Sequence, residues 1–215
     1  MASRHKDKTG QSQSKVRLSK SLAWLLRHNA ESEGFTFLDG GYLPVEDVLK
    51  HRRFTGFSLA DVEEVVKNCD KQRYALAVGD DGQLLIRANQ GHSIKNVDVD
   101  MEEITNPDDA QKVIHGTNFK AWNGIQQSGL SRMSRNHIHF AAGEPGSEGV
   151  ISGMRGSAQV YIYIDVHAAM KDGVRFFRSS NNVILSPGND QGVIPPKYFK
   201  QVKNVRTNQF LEFNK

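Results

Sequence analysis

Cysteine is nearly missing: Cys69 is the only one in 215 residues. One thiol excludes an intramolecular disulfide framework and a cysteine-based zinc site. No apolar run approaches the roughly 20 residues that a membrane span needs. The first twenty residues, polar and basic, hold no apolar segment of the kind a secretory leader carries. The resulting expectation is a monomer in the cytoplasm or nucleus with no membrane partner. Carboxylates are also scarce where they would matter. Arg27-His28, Arg73, Arg87 and Arg135-Asn136-His137-Ile138-His139 are set in apolar or glycine-marked peptides and bring no Asp or Glu with them. Acyl and glycosidic hydrolysis usually depend on a carboxylate, and metal-dependent phosphoester chemistry on clustered ones. All three are disfavoured.

What is present suits an anionic substrate. A guanidinium offers a planar, permanent fork of donors that matches phosphate oxygens. Histidine passes protons near neutral pH. Hydrophobic residues make up 38% of the chain and the net charge is +4, a mild excess that permits nucleic-acid binding without requiring it. The distribution is more telling. Arg4, Lys6, Lys8, Lys15, Arg17 and Lys20 crowd the amino terminus against Asp7 alone. Residues 1–17 are expected to be a basic, irregular tail.

An α+β fold is predicted, in two lobes. In residues 18–97, Leu18, Leu22, Leu25 and Leu26 fall at helical spacing and deliver Arg27 and His28 at a helix carboxyl end. Pro44 reads as a first-turn proline ahead of Val45, Val48 and Leu49. Ser58 is a good N-cap, with Asp61 three residues on and a stripe of Leu59, Val62, Val65 and Val66 behind it. Tyr74, Leu76 and Val78 alternate, Asp80-Asp81-Gly82 turns, and residues 83–88 return as a second strand. Three short helices and a hairpin suggest a winged-helix-like lobe. Its third helix carries Asp61, Glu63 and Glu64, which would repel a DNA groove rather than read it. The lobe is therefore read as a holder of a phosphorylated or modified nucleotide.

Residues 98–109 are acidic, include Asn106-Pro107, and are expected to be a linker. Residues 110–215 follow as the second lobe. A strand is predicted at 113–117, then a helix from Asn118 with Phe119, Trp122, Ile125 and Gln126 near one face and Gly129 as its stop. Further strands are predicted at 137–141, 160–165, 174–178, 182–186 and near 198–202. Short strands with few helices make a largely antiparallel sheet.

On a strand, Arg135, His137 and His139 would share one face. His137 and His139, with His115, could instead hold zinc, although the neighbouring arginine would repel the cation. Residues 86–93 leave a strand as a polar loop in which Gly91 allows close backbone approach to a ligand. His115-Gly116-Thr117 closes a strand, and Gly153-Met154-Arg155-Gly156-Ser157 is a flexible basic loop.

Together these segments resemble the RNA 2′-phosphotransferase family, NAD-dependent enzymes that remove a splice-junction 2′-phosphate from tRNA. The resemblance is carried in order by Leu26-Arg27-His28, Lys71-Gln72-Arg73-Tyr74, the octapeptide Ile86 to Ser93, His115-Gly116-Thr117, Arg135 to His139, Ile151 to Arg155 and Val183 to Gly188. It implies a winged-helix RNA lobe followed by an ADP-ribosyltransferase-like lobe. It places the catalytic Arg-His-Arg-Arg set on Arg27, His28, Arg73 and Arg135. The three-residue signature that sorts ADP-ribosyltransferases falls on His115, His139 and Val183, with Asn182 as the alternative for the last. It further implies that His115, Gly116, Thr117, His139, Ser152, Arg155 and Val183 bind NAD. Arg87, Asn89, Gln90, His92 and Ser93 would bind RNA or its phosphate. No metal is implied. The expected reaction joins the RNA 2′-phosphate to ADP-ribose with loss of nicotinamide, then releases 2′-hydroxyl RNA and ADP-ribose 1″,2″-cyclic phosphate. The alternatives are a one-step ADP-ribosyltransferase that caps RNA or DNA phosphate ends, and a noncatalytic RNA-binding module.

Overall fold

The computed structural model describes residues 4–95, 97, 99–147, 150, 153–154 and 156–213, with 4–12 described by backbone alone. The chain divides into two compact units, 1–99 and 100–215.

The first unit opens with α1 (Arg4–Trp24). The helix thus begins well ahead of Leu18 and includes most of the segment expected to be irregular. Its leucines behave as their spacing predicts: Leu18, Leu22, Leu25 and Leu26 are fully buried, each contributing about 1.5–3 kcal/mol by leaving water. The last turn is a π-helix over Leu25–Asn29. This wider turn is rare and often accompanies functional sites, and it carries Arg27 and His28. A two-residue strand β1 (Leu43–Pro44) leads into α2 (Val45–Lys50). Pro44 is the N-cap with extended backbone rather than the first helical residue. Helix α3 (Leu59–Lys67) begins at the expected capping box: Ser58 and Asp61 each accept from the other's backbone amide. These bonds from Ser58 hold the Asp61 carboxyl below its usual range. Val62 and Val65 are buried, but Leu59 is exposed. Strands β2 (Tyr74–Val78) and β3 (Leu84–Ala88) form the expected hairpin, registered from Tyr74 opposite Ala88 to Val78 opposite Leu84. The sheet order is β1-β3-β2.

The second unit is built on a seven-stranded sheet, and each neighbouring pair of strands is antiparallel. Its elements are β4 (Met101–Ile104), β5 (Ile114–Thr117), α4 (Phe119–Ser128), the short β6 (Leu130–Ser131), β7 (Ile138–Ala141), β8 (Val160–Ile164), α5 (Val166–Lys171), β9 (Phe176–Ser179), β10 (Val183–Ser186), β11 (Val193–Ile194) and β12 (Phe199–Asn204). The sheet order is β12-β8-β5-β7-β10-β9-β4, and β6 pairs with β11 apart from it. The acidic segment expected as a linker therefore contributes an edge strand, paired from Met101 opposite Ser179 to Ile104 opposite Phe176. Charges are tolerated there because an edge strand has one side in solvent, and Glu103 pairs with Arg175 at 2.6 Å. Asn118 caps α4 by accepting from Ala121 N at 2.8 Å, and Gly129 ends it. One sheet face packs Ile138, Phe140, Ile162 and Ile184 with Trp122 of α4 and Ala169 of α5. Among the described residues no helix is long and apolar enough to cross a membrane.

Candidate active site

In the first unit the π-turn, the β2 entrance and the β3 exit bring the predicted residues together. Ser93 is the link to the helix: its amide donates to the Arg27 carbonyl at 2.9 Å, and its hydroxyl shares a 2.9 Å hydrogen bond with His28 Nδ1. Gly91 between them has φ +93°, and a Cβ there would stand 3.5 Å from the Arg27 guanidinium carbon. Space is adequate, so the backbone angle is what calls for glycine. Arg73 enters from the other side. Its guanidinium and its amide each point a nitrogen at Cys69 Sγ, both at 3.4 Å. Asn89 fixes the backbone of that turn, its amide donating to the Arg73 carbonyl at 2.9 Å and its Nδ2 to the Gln72 carbonyl at 2.7 Å. Gln72 there has a left-handed φ of +44°. Tyr74 follows Arg73 at the start of β2. Burial pushes its hydroxyl pKa up, against the hydrogen bond with Ser19 and then the charges of Arg27 and Arg73.

The polar loop at the end of the octapeptide turns its side chains inward. Arg87, Asn89, Gln90 and His92 are all buried. Arg87 donates to the Gly40 carbonyl at 3.1 Å and lies 4.8 Å over the Tyr42 ring. Asn89 Oδ1 is buried and accepts no bond from a described residue.

In the second unit the site is a parting of strands. Four residue pairs join β5 to β8, from Ile114 opposite Tyr163 to Thr117 opposite Val160. A single pair, Ile114 with Ala141, joins β5 to β7. Beyond it a side chain replaces the ladder: His115 Nδ1 meets the His139 carbonyl at 3.0 Å. A carbonyl only accepts, so Nδ1 carries the proton, and the neutral ring presents Nε2 as an acceptor. The His115 ring sits edge-on to Phe140, 5.9 Å away. Strand alternation sends the His139 ring to the opposite face of the sheet. Residues 153–154 cover the parting on that face. A Cβ at Gly153 would fall 2.5 Å from the Phe140 carbonyl oxygen, so only glycine lets the segment lie on β7. Met154 reaches across to Gly116 on β5.

The remaining predicted residues are less tightly gathered. Arg135 is exposed in the turn before β7, so it does not share a strand face with His137 and His139. His137 packs its ring edge on Phe177 at 6.0 Å. The three histidines do not form a zinc site, and no group of three metal-ligating side chains occurs among the described residues. Val183 opens β10 fully buried, opposite Ala141. Asn182 beside it accepts from Arg178. Ser152 and Arg155 lie outside the described residues. Cys69 was not anticipated as a site residue, because only the folded turn brings its sulfur to Arg73.

Burial lowers the pKa of His115 from the ordinary 6.5, and burial followed by Arg132 lowers that of His137. The folded state therefore resists protonation of both rings, whereas the unfolded chain accepts it. Stability is full above the unfolded value and falls as pH drops below it. Urea unfolding at about pH 8 and about pH 5 is expected to show this loss, and His115→Gln to reduce it.

The first unit gathers arginines beside a histidine, residue types suited to phosphate oxygens, and the second, taken by itself, opens an antiparallel sheet. Comparison with known proteins gives the class. Residues 13–188 match the model of the RNA 2′-phosphotransferase, Tpt1 / KptA family. The tRNA 2′-phosphotransferase 1 of Danio rerio is 46% identical over 194 residues, spanning 89% of this chain and 86% of the relative. The tRNA 2′-phosphotransferase 1 of Homo sapiens is 44% identical over 193 residues, 89% and 76% of the two chains. The tRNA 2′-phosphotransferase of Saccharomyces cerevisiae is 41% identical over 179 residues, 80% and 78%. The chain belongs to the RNA 2′-phosphotransferase family and is an enzyme, a transferase.

Proposed function

We propose that the chain is an NAD-dependent RNA 2′-phosphotransferase whose substrate is spliced tRNA carrying a 2′-phosphate. Its first unit serves as a winged-helix-like RNA lobe and its second as an ADP-ribosyltransferase-like NAD lobe. The observation that carries the reading is the gathering of Arg27, His28 and Arg73 by the hydrogen bonds of Asn89 and Ser93. The parting of β5 from β7 supports a dinucleotide substrate. It lines a gap with the neutral His115 ring, Gly116, Thr117 and the His139 strand, and the 153–154 segment closes one face.

In the first step the RNA 2′-phosphate attacks the ribose carbon that bears nicotinamide, and nicotinamide leaves. His115 and Thr117 hold the nicotinamide side and His139 the ribose. The nucleophile is already an anion and needs no base. A carboxylate at Val183 would oppose it by roughly 4 kcal/mol for unit charges about 4 Å apart at an effective dielectric of about 20. In the second step the adjacent ribose hydroxyl attacks phosphorus and the RNA 2′-oxygen departs. Arg27, Arg73 and Arg135 neutralise charge on the phosphoryl oxygens, and His28 moves the proton.

The test mixes the protein with NAD and a 2′-phosphorylated oligonucleotide without added metal, and follows nicotinamide and RNA together. Release of nicotinamide with conversion to 2′-hydroxyl RNA is the expected result. No nicotinamide release would sink the proposal. Release with RNA left permanently linked to ADP-ribose would favour a one-step enzyme.

A further inference from the structure

We infer that one face of α1, together with the loop after α2, is a track for the RNA strand flanking the 2′-phosphate. The inference rests on the reading of the chain as an RNA enzyme and adds where the rest of the RNA lies. Arg17, Lys20, Trp24 and His28 follow one another at three- and four-residue spacing, so they share a side of the helix. That side ends at the residue read as the proton-moving histidine.

The loop after α2 runs antiparallel beside it and interlocks with it. Arg53 of the loop lies 4.1 Å over the Trp24 ring of the helix, and Arg17 of the helix lies 4.7 Å over the Phe57 ring of the loop. A guanidinium held over a ring keeps its charge and retains N–H donors for phosphate oxygens. Both arginines are exposed, as is Lys20. Among the described residues no carboxylate pairs with Arg17, Lys20 or Arg53. Lys15 shows the contrast: it turns to the acidic helix α3 and pairs with Glu64. The cations on the track are thus uncommitted, whereas the one facing α3 is already neutralised.

Arg17 and Trp24 are seven residues apart, roughly 10 Å along the axis. The two ring-held guanidinium groups are therefore placed to hold separate phosphates of one strand. Acidic α3 is left outside the path, which agrees with its unsuitability as a recognition helix.

Fluorescence anisotropy without NAD provides the test. The probe is a single strand of about twelve nucleotides with a central 2′-phosphate, bound across a salt series in which each lost phosphate contact removes about 0.7 from the slope of log affinity against log salt. R17Q/R53Q is expected to lose about 1.4 of that slope. R17K/R53K keeps both charges and is expected to restore most of it, which separates a lost contact from a lost fold. K200Q/R206Q removes the same charge from β12 and the turn after it, and is expected to leave the slope unchanged. An unchanged slope in R17Q/R53Q, no recovery in R17K/R53K, or an equal loss in K200Q/R206Q overturns the track. If the unsubstituted chain fails to bind the probe at all, the RNA reading beneath it falls as well.

Discussion

Arg135→Ala is expected to stop the reaction halfway, with RNA accumulating in a form linked to ADP-ribose. The argument starts from the backbone. Arg132 holds the turn before β7: its NH1 donates to the Arg135 carbonyl at 2.9 Å, and its own carbonyl accepts from the Arg135 amide at 3.1 Å. Arg132 N in turn donates to the Gly192 carbonyl at 2.9 Å. Removing the exposed Arg135 side chain leaves these backbone anchors in place, so the main expected loss is one of charge. The first step, on our reading, uses a phosphate that is already an anion, and it gains little from another cation. The second forms one phosphate ester while breaking another, and charge on the phosphoryl oxygens must be held throughout. Loss of one such preorganised donor costs about 10²–10³-fold in rate, and it should fall mainly on the second step. Single-turnover kinetics with labelled RNA would show the linked species building up as nicotinamide is released. Equal slowing of both steps would show that Arg135 is not confined to the second.

Much of the frame is legible in the sequence, because its causes are local. The leucines of α1, the Ser58–Asp61 box, the hairpin turn at Gly82 and the Asn118 cap each depend on residues a few positions apart. What the sequence conceals depends on distant partners. The π-turn at Leu25–Asn29 does not alter the apolar spacing, so the pattern reads as ordinary helix. Strand β4 reads as a linker because its outward glutamates are permitted only by its place at the sheet edge, where Arg175 meets Glu103. The burial of the octapeptide's polar groups is hidden in the sequence because their partners lie far away along the chain, such as Gln72 for Asn89 and Gly40 for Arg87. His115 and His139 are legible as a pair, but not the geometry that joins them. The ring of one bonds the backbone of the other because β5 and β7 separate after a single pair.

Asn89 supports the second large expectation: substituting it should disable Arg73 without touching it. The turn at Gln72 has left-handed backbone, unusual for a side chain of that size. The turn is held by Gln72 N donating to the Cys69 carbonyl at 2.7 Å and by the two Asn89 donors. Asn89→Asp keeps the shape but replaces Nδ2 with an acceptor facing the Gln72 carbonyl, and Asn89→Ala removes the group. Either change removes the donor from that part-buried bond, which costs about 0.5–1.5 kcal/mol. The catalytic loss should be larger than the stability loss implies. A displacement of about 1 Å in a positioned group can lower turnover about 10²-fold, and among the described residues the hydrogen bonds of Arg73 run to Cys69 and Asn89. Aspartate should be worse than alanine, because it adds a negative charge where a phosphate is to bind. Urea unfolding and turnover measured on the same two variants decide the matter. Turnover that falls no further than the loss of folded protein would show that the Asn89 bonds support the fold and do not position Arg73.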